Sequence, residues 1–533
     1  MVAELIHYGA RIDCVPAIAR RAEELATRQR VLVVCANDIS AERLSEALAC
    51  RDGITVFTAA ELALSVFEDP RVQKASKRGP RLLDRNEVDV LLEDLKVSGL
   101  KPRRLREMLK FLLKGLADGA ASEEGWLVNR DEQTLFALLE ENLEMRHALL
   151  PVEASYRALQ GIDAVPAALD RTAVVVEDFG ALSKTSQRLV RTASNGDMVV
   201  FASGSEGASA SEPYPYRSGI AQWAKESGAV VSALPAEVDP IARHSVSLPT
   251  PNAEFAYIAE AVASLLEGAE APGGLLRSID ILVAVPNGVW MREICHALAA
   301  RGIPVIRAAG APKAKGDPRK PESCGAVEEA AFAKLVLDPS DMTALRTYAG
   351  CGDWLMCSDS FLELMAWARD HGMTVEEALR MLHADKAAAS EMKAFGKVDA
   401  KLTELEGRLR EAACPHDAAG VGKPRPQGVT VALYEQCHGR HAKHVLFAGA
   451  VNGFIPKRDA VGDGETVDHR KRALVRDRAL FDDVCSVAEA SLTITTFETD
   501  RIENTQVLPM EVERIYVKDG VRRARTVPCQ FIA

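Results

Sequence analysis

Short apolar runs alternate with helical patterns along much of the chain. Strands are predicted at residues 30–36, 173–176, 197–202, 279–285 and 444–448, and the runs 30–36, 173–176 and 444–448 are apolar enough to be buried, as in a parallel sheet. Stretches with the period of amphipathic helices accompany them at 41–49, 186–193, 252–268 and 290–301. Strands that alternate with helices in this way predict an α/β fold with parallel sheets.

Two long regions have a mainly helical pattern instead. They cover about residues 85–161 and 328–414, and they interrupt the alternation of strands and helices. The run 420–427 is rich in Gly, Pro and basic residues, which is typical of a linker that returns the chain to the sheet. The pattern therefore predicts two parallel-sheet domains, each with one helical insertion.

The helix predicted at 101–114 is strongly basic. Leu105, Met108, Leu109 and Leu112 share one face, and the cations lie mostly elsewhere: Lys101, Arg103, Arg104, Arg106, Lys110 and Lys114. This pattern is typical of a surface helix with a solvated basic face. It is also what contact with a phosphate backbone needs, because such contact requires clustered Lys and Arg rather than a motif.

Composition limits the class of protein. The chain has 533 residues, 47% apolar and 26% charged, so it can bury several cores. It has no apolar run of the roughly 18 residues that a membrane span needs, and its start lacks a signal-peptide pattern. The eleven cysteines form no C-x-x-C pair, so we expect reduced thiols in the cytoplasm and no metal site. With a net charge of −11, nucleic acid would bind only at local basic patches.

The stretch 428–456 joins a polar strand, an irregular loop and a buried strand. It has V-x-V from Val429, E-x-x-[basic]-G-[basic] from Glu435, H-V-L-F-x-G from His444 and N-G-F-I-P from Asn452. This order resembles the fifth motif of superfamily 1 helicases of the UvrD/Rep type. It is most similar to the AddB branch, the partner subunit of heterodimeric helicase–nucleases. Motif order and spacing extend the resemblance over about residues 1–500.

The resemblance implies roles for four loop residues. Glu435, His438, Gly439 and Arg440 match positions that in relatives face the nucleotide and the DNA strand. His438 stands where the AddB pattern usually has Arg. A histidine at this place is also compatible with a solvent-exposed turn.

The resemblance places the phosphate loop of the family, G-x-x-x-x-G-K-[ST], at residues 9–16. Gly9 keeps the first glycine, but Cys14 replaces the second, Val15 replaces the Lys and Pro16 replaces the Ser or Thr. Val15 cannot neutralise phosphate charge, and Pro16 removes one N–H from the helix start. Arg11 could attract an anion, although a loop remnant that only holds the fold fits these residues better.

The acidic motif of active relatives, D-E-x-Q-D, matches the residues after the strand at 173–176. Glu177 and Asp178 supply the two acids in reversed order, and Gly180 and Ala181 replace the Gln and the last Asp. These acids could hold a metal ion, and an acid pair after a buried strand also serves to cap helices. In the sixth motif, Val487 stands where relatives carry the arginine that stabilises transition-state charge.

The fold class expected from these features is α/β, with two RecA-like, P-loop-type parallel-sheet domains and two mainly helical insertions. The expected domains are 1–84 with 170–245, the first RecA-like domain; 85–169, a helical insertion; 246–325 with 428–500, the second RecA-like domain; 326–427, a second helical insertion; and 501–533, a C-terminal tail without room for a nuclease domain.

The expected function is that of a degenerate UvrD/AddB-like helicase-family protein. It would handle DNA or act as a scaffold in double-strand-break repair and recombination, with an AddA-like helicase–nuclease subunit as partner, no membrane contact and no cofactor. The alternative is an active or weak helicase that uses Mg-ATP through Glu177, Asp178 and a non-standard phosphate loop. A small-molecule enzyme on a Rossmann-like fold ranks last, because no G-x-G-x-x-G follows a strand.

Overall fold

The computed structural model describes residues 2–9, 13–49, 51–83, 85–203, 214–235, 241–268, 280–308, 318, 320–337, 339, 341–352, 358–385, 395–412, 428–461, 466–518 and 520–532. The chain divides into two compact units. The sheet unit comprises Met1–Ala59, Arg171–Gly310 and Pro424–Ala533, and the helical unit comprises Ala60–Asp170 and Ala311–Lys423. The predicted fold class is confirmed, since the chain is α/β with two parallel sheets and many helices.

The first sheet brings the ends of distant strands to one edge. Its strands pair in parallel in the order β3-β2-β4-β5-β1-β6. All residues of β2 are buried, as its continuous apolar run predicts. Because parallel strands end at the same edge, the loops that follow them can form a site there. The strands are β1 (Ala3–Tyr8), β2 (Val31–Cys35), β3 (Ile54–Thr58), β4 (Thr172–Val176), β5 (Ser194–Ser203) and β6 (Val230–Ala233).

The second sheet is also parallel, in the order β7-β12-β11-β8-β10-β9. Along β8, Ile281, Val283 and Val285 pack into one core, while Leu282 and Ala284 pack into another, as the two-residue period of a strand requires. Strand β7 pairs with β12 over its whole length and contains the predicted domain boundary at 245/246. The strands are β7 (Ala242–Leu248), β8 (Ile281–Val285), β9 (Val305–Arg307), β10 (Val429–Leu433), β11 (Ala442–Phe447) and β12 (Ala488–Phe497).

The segment predicted as a C-terminal tail, 501–533, contains most of a small sheet. Strands β13 (Thr499–Arg501), β14 (Val512–Lys518) and β15 (Val521–Thr526) pair antiparallel in the order β13-β15-β14. The N–H of Cys529 then donates to the carbonyl of Ala450 at 2.9 Å, so the chain after this sheet is attached to the rest of the sheet unit.

The helices connect and cover these strands or build the helical unit. In the described part of the chain they are α1 (Val15–Ala26), α2 (Asp38–Ala47), α3 (Ala59–Val66), α4 (Pro70–Ser76), α5 (Arg85–Asp94), α6 (Pro102–Asp118), α7 (Arg130–Met145), α8 (Ala154–Ala164), α9 (Lys184–Ala193), α10 (Ser218–Ser227), α11 (Pro251–Gly268), α12 (Gly288–Ala299), α13 (Gly325–Leu337), α14 (Met342–Gly350), α15 (Ser358–Asp370), α16 (Val375–Ala384), α17 (Phe395–Ala412), α18 (Arg458–Val461), α19 (Val467–Ser486) and α20 (Ile502–Val507). Among these residues, no helix has the length and apolar character that crossing a membrane requires.

The helical unit is held together by apolar packing and by a buried charge cluster. The predicted apolar face of α6 is confirmed, because Leu105, Met108, Leu109 and Leu112 are at most 7% exposed. Asp94, at the end of α5, accepts hydrogen bonds from Arg146 and Arg346 at 2.5 to 2.8 Å. Since these arginines come from the two chain segments of the unit, the cluster joins both segments.

Helix α2 is capped by a side chain that follows β2. The helix begins at Asp38, and Asn37 is its N-cap. The Asn37 side-chain oxygen accepts the N–H of Ser40 at 2.8 Å, so Ser40 is the capped residue rather than the cap.

Candidate functional site

The two predicted acids lie at the carboxyl edge of the first sheet, directly after β4. Glu177 is 4% exposed, and its Oε2 accepts the N–H of Ala36, which follows β2, at 2.9 Å. Burial, and then the neighbouring charge of Asp178, raise the pKa of Glu177. The end of β4 is thus tied to the end of β2 by a buried carboxyl group.

Asp178 has an unusual environment for a buried carboxylate. It is fully buried, and its backbone is in the left-handed region, with φ of 44°. Neither of its carboxylate oxygens accepts a hydrogen bond from any group in the described residues. A non-glycine residue in this conformation carries backbone strain, and a buried acceptor without a donor costs further free energy. Such costs concentrate at functional sites.

His438, from the loop between β10 and β11, places a positive charge beside Asp178. Its Nε2 lies 3.3 Å from Asp178 Oδ2, and its Nδ1 lies 3.1 Å from Asp483 Oδ1 in α19. Burial alone would lower the pKa of His438, but the two carboxylates outweigh burial and hold this pKa well above its ordinary value. The imidazolium therefore links the end of β4, in the first sheet, to a helix that packs on the second sheet.

The neighbouring Gly439 lies tightly against the start of α2. Its φ is +75°, and a Cβ atom added to it would lie 2.9 Å from both Asn37 Nδ2 and Ser40 Oγ. Glycine is required here by the backbone conformation and by the close approach of the two side chains. The loop of the second sheet is thus packed directly on the first.

The segment that matches the phosphate loop lies at the same carboxyl edge of the first sheet. Gly9 follows β1, Cys14 is the N-cap of α1, and Val15 and Pro16 form its first turn. The N–H of Val15 donates to Asp13 Oδ1 at 3.1 Å, and Pro16 has no N–H. Burial, and then the nearby Glu177, raise the pKa of Cys14 well above its usual value, so its thiol is neutral. Arg11 lies outside the described residues.

These groups surround a cavity of about 50 Å³, room for roughly three or four waters. Arg43, which lines the cavity, forms an ion pair with Asp13 at 2.7 Å. Burial, and then the charge of Arg43, lower the pKa of His441 to about 4. The lining residues are Tyr8, Cys14, Val15, Ser40, Arg43, Glu177, Ser203, His438, Gly439, Arg440, His441, Asp483, Ser486 and Val487.

The residues at this edge do not fit Mg-ATP. A nucleotide triphosphate needs free N–H donors and a cation at the phosphate loop, open carboxylates for Mg²⁺ and a second cation for the transition state. Val15 and Val487 line the cavity where the two cations would be expected, and His438 stands against the carboxylate of Asp178. The positions matched to the two cations are therefore apolar, although Arg43 and Arg440 also line the cavity and residues 10–12 of the matched loop lie outside the described residues.

The structure brings most of the predicted site residues together, but not all of them. Cys14, Val15, Glu177, His438, Gly439 and Arg440 line the cavity, and Asp178 contacts His438. Arg440 Nε donates to the carbonyl of Gln436 at 2.8 Å. Glu435 is not among the lining residues; its carboxylate pairs with Lys457 Nζ at 2.7 Å. The basic residues predicted from Lys101 to Lys110 belong to the helical unit.

Sequence reasoning missed the second partner of His438. Asp483 lies four residues before Val487, the position matched to the arginine of the family, so it is one helical turn away at the end of α19. This four-residue spacing from a motif position could have identified Asp483 as a candidate site residue. Tyr8 and Ser40 were also missed as lining residues, although both lie close to strand ends where polar side chains are expected to gather.

Comparisons with known proteins leave the family of this chain undetermined. No protein-family model matches the sequence, and no curated protein matches it either. Among solved structures, that of Xpd4 from S. tokodaii aligns over 93% of this chain and 91% of that chain, at 8% identity and a TM-score of 0.28. A likeness at that TM-score carries no argument about this chain, so the geometry of the site has to support the function.

Proposed function

We propose that this chain is a helicase-family protein that no longer hydrolyses ATP and acts as a DNA-handling or scaffolding subunit in double-strand-break repair and recombination. The observation that carries the proposal is the internal ion pair of His438 with Asp178 and Asp483. It stands at the edge where, by resemblance, active relatives hold Mg²⁺ and the nucleotide. The chain supplies its own cation there.

The reaction of the active relatives explains why this ion pair matters. Phosphoryl transfer is catalysed mainly by positioned positive charge: a phosphate-loop lysine, Mg²⁺ and an arginine. Here Val15 and Val487 supply no charge, and His438 is held between two carboxylates. The His438 ion pair then serves to link the two sheets. Such a link fits a subunit whose sheet unit keeps one fixed arrangement.

The proposed role needs a partner that hydrolyses ATP. An AddA-like helicase–nuclease subunit would supply the motor and the nuclease, while this chain contributes surface for DNA or for the partner. Helix α6 offers one such surface: Lys101, Arg103, Arg104, Arg106 and Lys110 are all exposed. Arg103 is already paired with Glu107 at 3.1 Å, so Arg104 and Arg106 are the better candidates for phosphate contact.

A weak ATPase is the second candidate function, and one observation favours it. Glu177 and Asp178 both lie at the sheet edge where acids of the family act, and Asp178 keeps acceptor atoms without hydrogen-bond donors in the described residues. Such an enzyme would have to displace His438 to admit a metal ion. It predicts DNA-stimulated ATP turnover that disappears in Glu177→Ala.

Two assays with the purified full chain test the proposal. We expect no ATP turnover above background, with or without DNA, in the wild type and in Glu177→Ala alike. In fluorescence anisotropy with forked and blunt-ended DNA, we expect binding that weakens steeply with salt and does not change with Mg-ATP. Turnover that requires Glu177 would overturn the loss of hydrolysis, and absence of DNA binding at low salt would leave a protein scaffold only.

A further inference from the structure

The C-terminal sheet places its basic residues on one face. In the register of its strands, Arg514 lies opposite Arg525, Tyr516 lies opposite Arg523, and Arg523 lies opposite Arg501 on its other side. Residues directly opposite each other in antiparallel strands share a face, and so do residues two apart along a strand. We call this the basic sheet face; it carries Arg501, Arg514, Tyr516, Lys518, Arg523 and Arg525.

The arrangement of these charges is unfavourable for the chain alone. Arg514 opposite Arg525 and Arg501 opposite Arg523 are like-charge pairs, which destabilise a sheet. The whole chain has a net charge of −11, so composition does not explain the concentration of cations here. A surface that keeps such pairs is suited to a ligand with repeated negative charge.

Nearby carboxylates compensate this charge only in part. Glu513 lies 3.6 Å from Arg525, but both side chains are more than 60% exposed, and exposed pairs of this kind contribute little. Asp500 pairs in register with Ala524, so it lies on the opposite face, where it is buried near Arg501 and Arg523. Arg523 Nε is buried and lacks an acceptor among the described residues. The donors open to a ligand on the basic sheet face are those of its exposed cations, Arg501, Arg514, Lys518 and Arg525.

We infer that the basic sheet face binds single-stranded nucleic acid, with the arginines and Lys518 on the phosphates and the ring of Tyr516 stacked on a base. Its cations repeat about every 4.8 Å across strands and about every 7 Å along them, so they can follow a phosphate backbone. Tyr516 is half-buried between them, which holds its ring in place. An acidic peptide would bind the cations but would not stack on the ring of Tyr516.

Single strands fit this face better than duplexes. The bases of a duplex are stacked inside it, and an aromatic side chain can reach a base only where the strand is unpaired. Stacking of this kind tolerates any base, because each base has a π-face. The inference deepens the proposed DNA-handling role and rests on it for its setting, but its residues differ from those of α6.

Fluorescence anisotropy with the full chain tests the inference, using labelled oligothymidine, oligouridine and a duplex of the same length at roughly 50 and 200 mM salt. The double variant Arg514→Gln/Arg525→Gln should raise the Kd for oligothymidine about tenfold and reduce the slope of log K against log salt by about 1.4, for two lost phosphate contacts. Its thermal midpoint should be unchanged or higher, because a like-charge pair is removed. Oligouridine should bind similarly, and the duplex more weakly.

Variants of Tyr516 test the stacking separately. Tyr516→Ser should weaken binding about tenfold, whereas Tyr516→Phe should keep it, because the ring rather than the hydroxyl makes the contact. The matched control is Arg292→Gln/Arg301→Gln, which removes two half-exposed arginines in and after α12 and should leave binding unchanged.

The possible outcomes separate this inference from the proposed function. If the wild type binds DNA but Arg514→Gln/Arg525→Gln binds equally well, the inference is wrong and the DNA-handling role is retained. If the wild type binds no nucleic acid at low salt, the inference and the DNA-handling role are both wrong, and only the scaffolding role remains. If polyglutamate competes as well as oligothymidine and Tyr516→Ser has no effect, the face binds acidic peptides and the inference is wrong.

Discussion

Two buried charge clusters of this chain have similar ingredients and different surroundings. In the helical unit, both oxygens of Asp94 accept hydrogen bonds from Arg146 and Arg346, and the Arg346 guanidinium lies 3.7 Å from the centre of the Phe361 ring. In the sheet unit, Asp178 is equally buried but accepts no hydrogen bond within the described residues, and its neighbour His438 lines a cavity.

The difference separates a cluster that serves the fold from one that belongs to a site. Asp94 has its acceptor atoms saturated, so it has nothing left to offer a ligand. Asp178 has a strained backbone, and its nearest cationic group is the ring of His438, whose Nε2 lies 3.3 Å from Oδ2. Backbone strain and a buried acceptor without a donor are typical of a functional site rather than of a cluster that only stabilises the fold.

The largest expected effect comes from breaking the saturated cluster. Arg346→Leu should destabilise the helical unit by about 4 kcal/mol, because it removes two hydrogen bonds to a buried carboxylate and the contact with Phe361. Arg146 stays paired with Asp94, and although burial lowers its pKa to about 10, it remains charged at neutral pH. Chemical denaturation followed by circular dichroism measures the change.

The control for that variant is Arg103→Gln, whose side chain is 92% exposed and paired only with the exposed Glu107. It should change stability by less than about 0.5 kcal/mol. A small effect of Arg346→Leu, similar to this control, would contradict the claim that the Asp94 cluster holds the helical unit together.

Replacing His438 should lower the free energy of unfolding less than replacing Arg346 does. His438→Leu leaves Asp178 and Asp483 without their shared cation, and we expect about 2 kcal/mol of destabilisation near pH 6. The cost is smaller than for Arg346 because water in the adjoining cavity can solvate the carboxylates. Thermal unfolding of the two proteins side by side gives the difference.

The destabilisation caused by His438→Leu should depend on pH. The pKa of His438 is raised by folding, so its stabilisation is fully present below its unfolded pKa of about 6.5 and is lost as pH rises through the folded value. The gap in stability between wild type and His438→Leu should therefore narrow as pH rises above about 6.5. A gap that stays constant or widens over this range would show that His438 is not an internal cation.

The smallest effect tests how closely the two sheets approach each other. Gly439→Ala and Gly302→Ala both place Ala at positive φ, +75° and +72°, but only at Gly439 does the new Cβ meet other atoms, at 2.9 Å. Each should lose about 1 kcal/mol for the conformation, and Gly439→Ala about 1 kcal/mol more for the contact with Asn37 and Ser40. Equal losses in thermal unfolding would mean that the loop is not packed on α2.

Local patterns in the sequence were sufficient to predict several central strands of the two parallel sheets. The apolar runs at 30–36 and 173–176 correspond to β2 and β4, because strands buried on both faces need continuous apolar residues. The acids after β4 were found for the same reason, since a strand end places the next residues at the sheet edge. The C-terminal sheet was missed, although the sequence has Asp-Gly at 519–520, which is a hairpin signal.

The contacts that define the site are not local. His438 lies 45 residues from Asp483 along the chain and in a different sheet from Asp178. No spacing rule links these three positions, because the relative placement of two sheets depends on packing of their cores rather than on any short pattern. The motif resemblance identified His438 and Asp178 separately, but it did not predict the contact between them.

The protonation state of His438 is the most direct test of the central claim. Nitrogen NMR of protein labelled with ¹⁵N-histidine, with the His438 signals assigned by their loss in His438→Leu, reports whether both ring nitrogens carry protons at about pH 7.5. An internal cation predicts an imidazolium at that pH, with signals that do not move when Mg-ATP is added. A neutral imidazole, or signals displaced by Mg-ATP, would contradict the account and return the site to nucleotide binding.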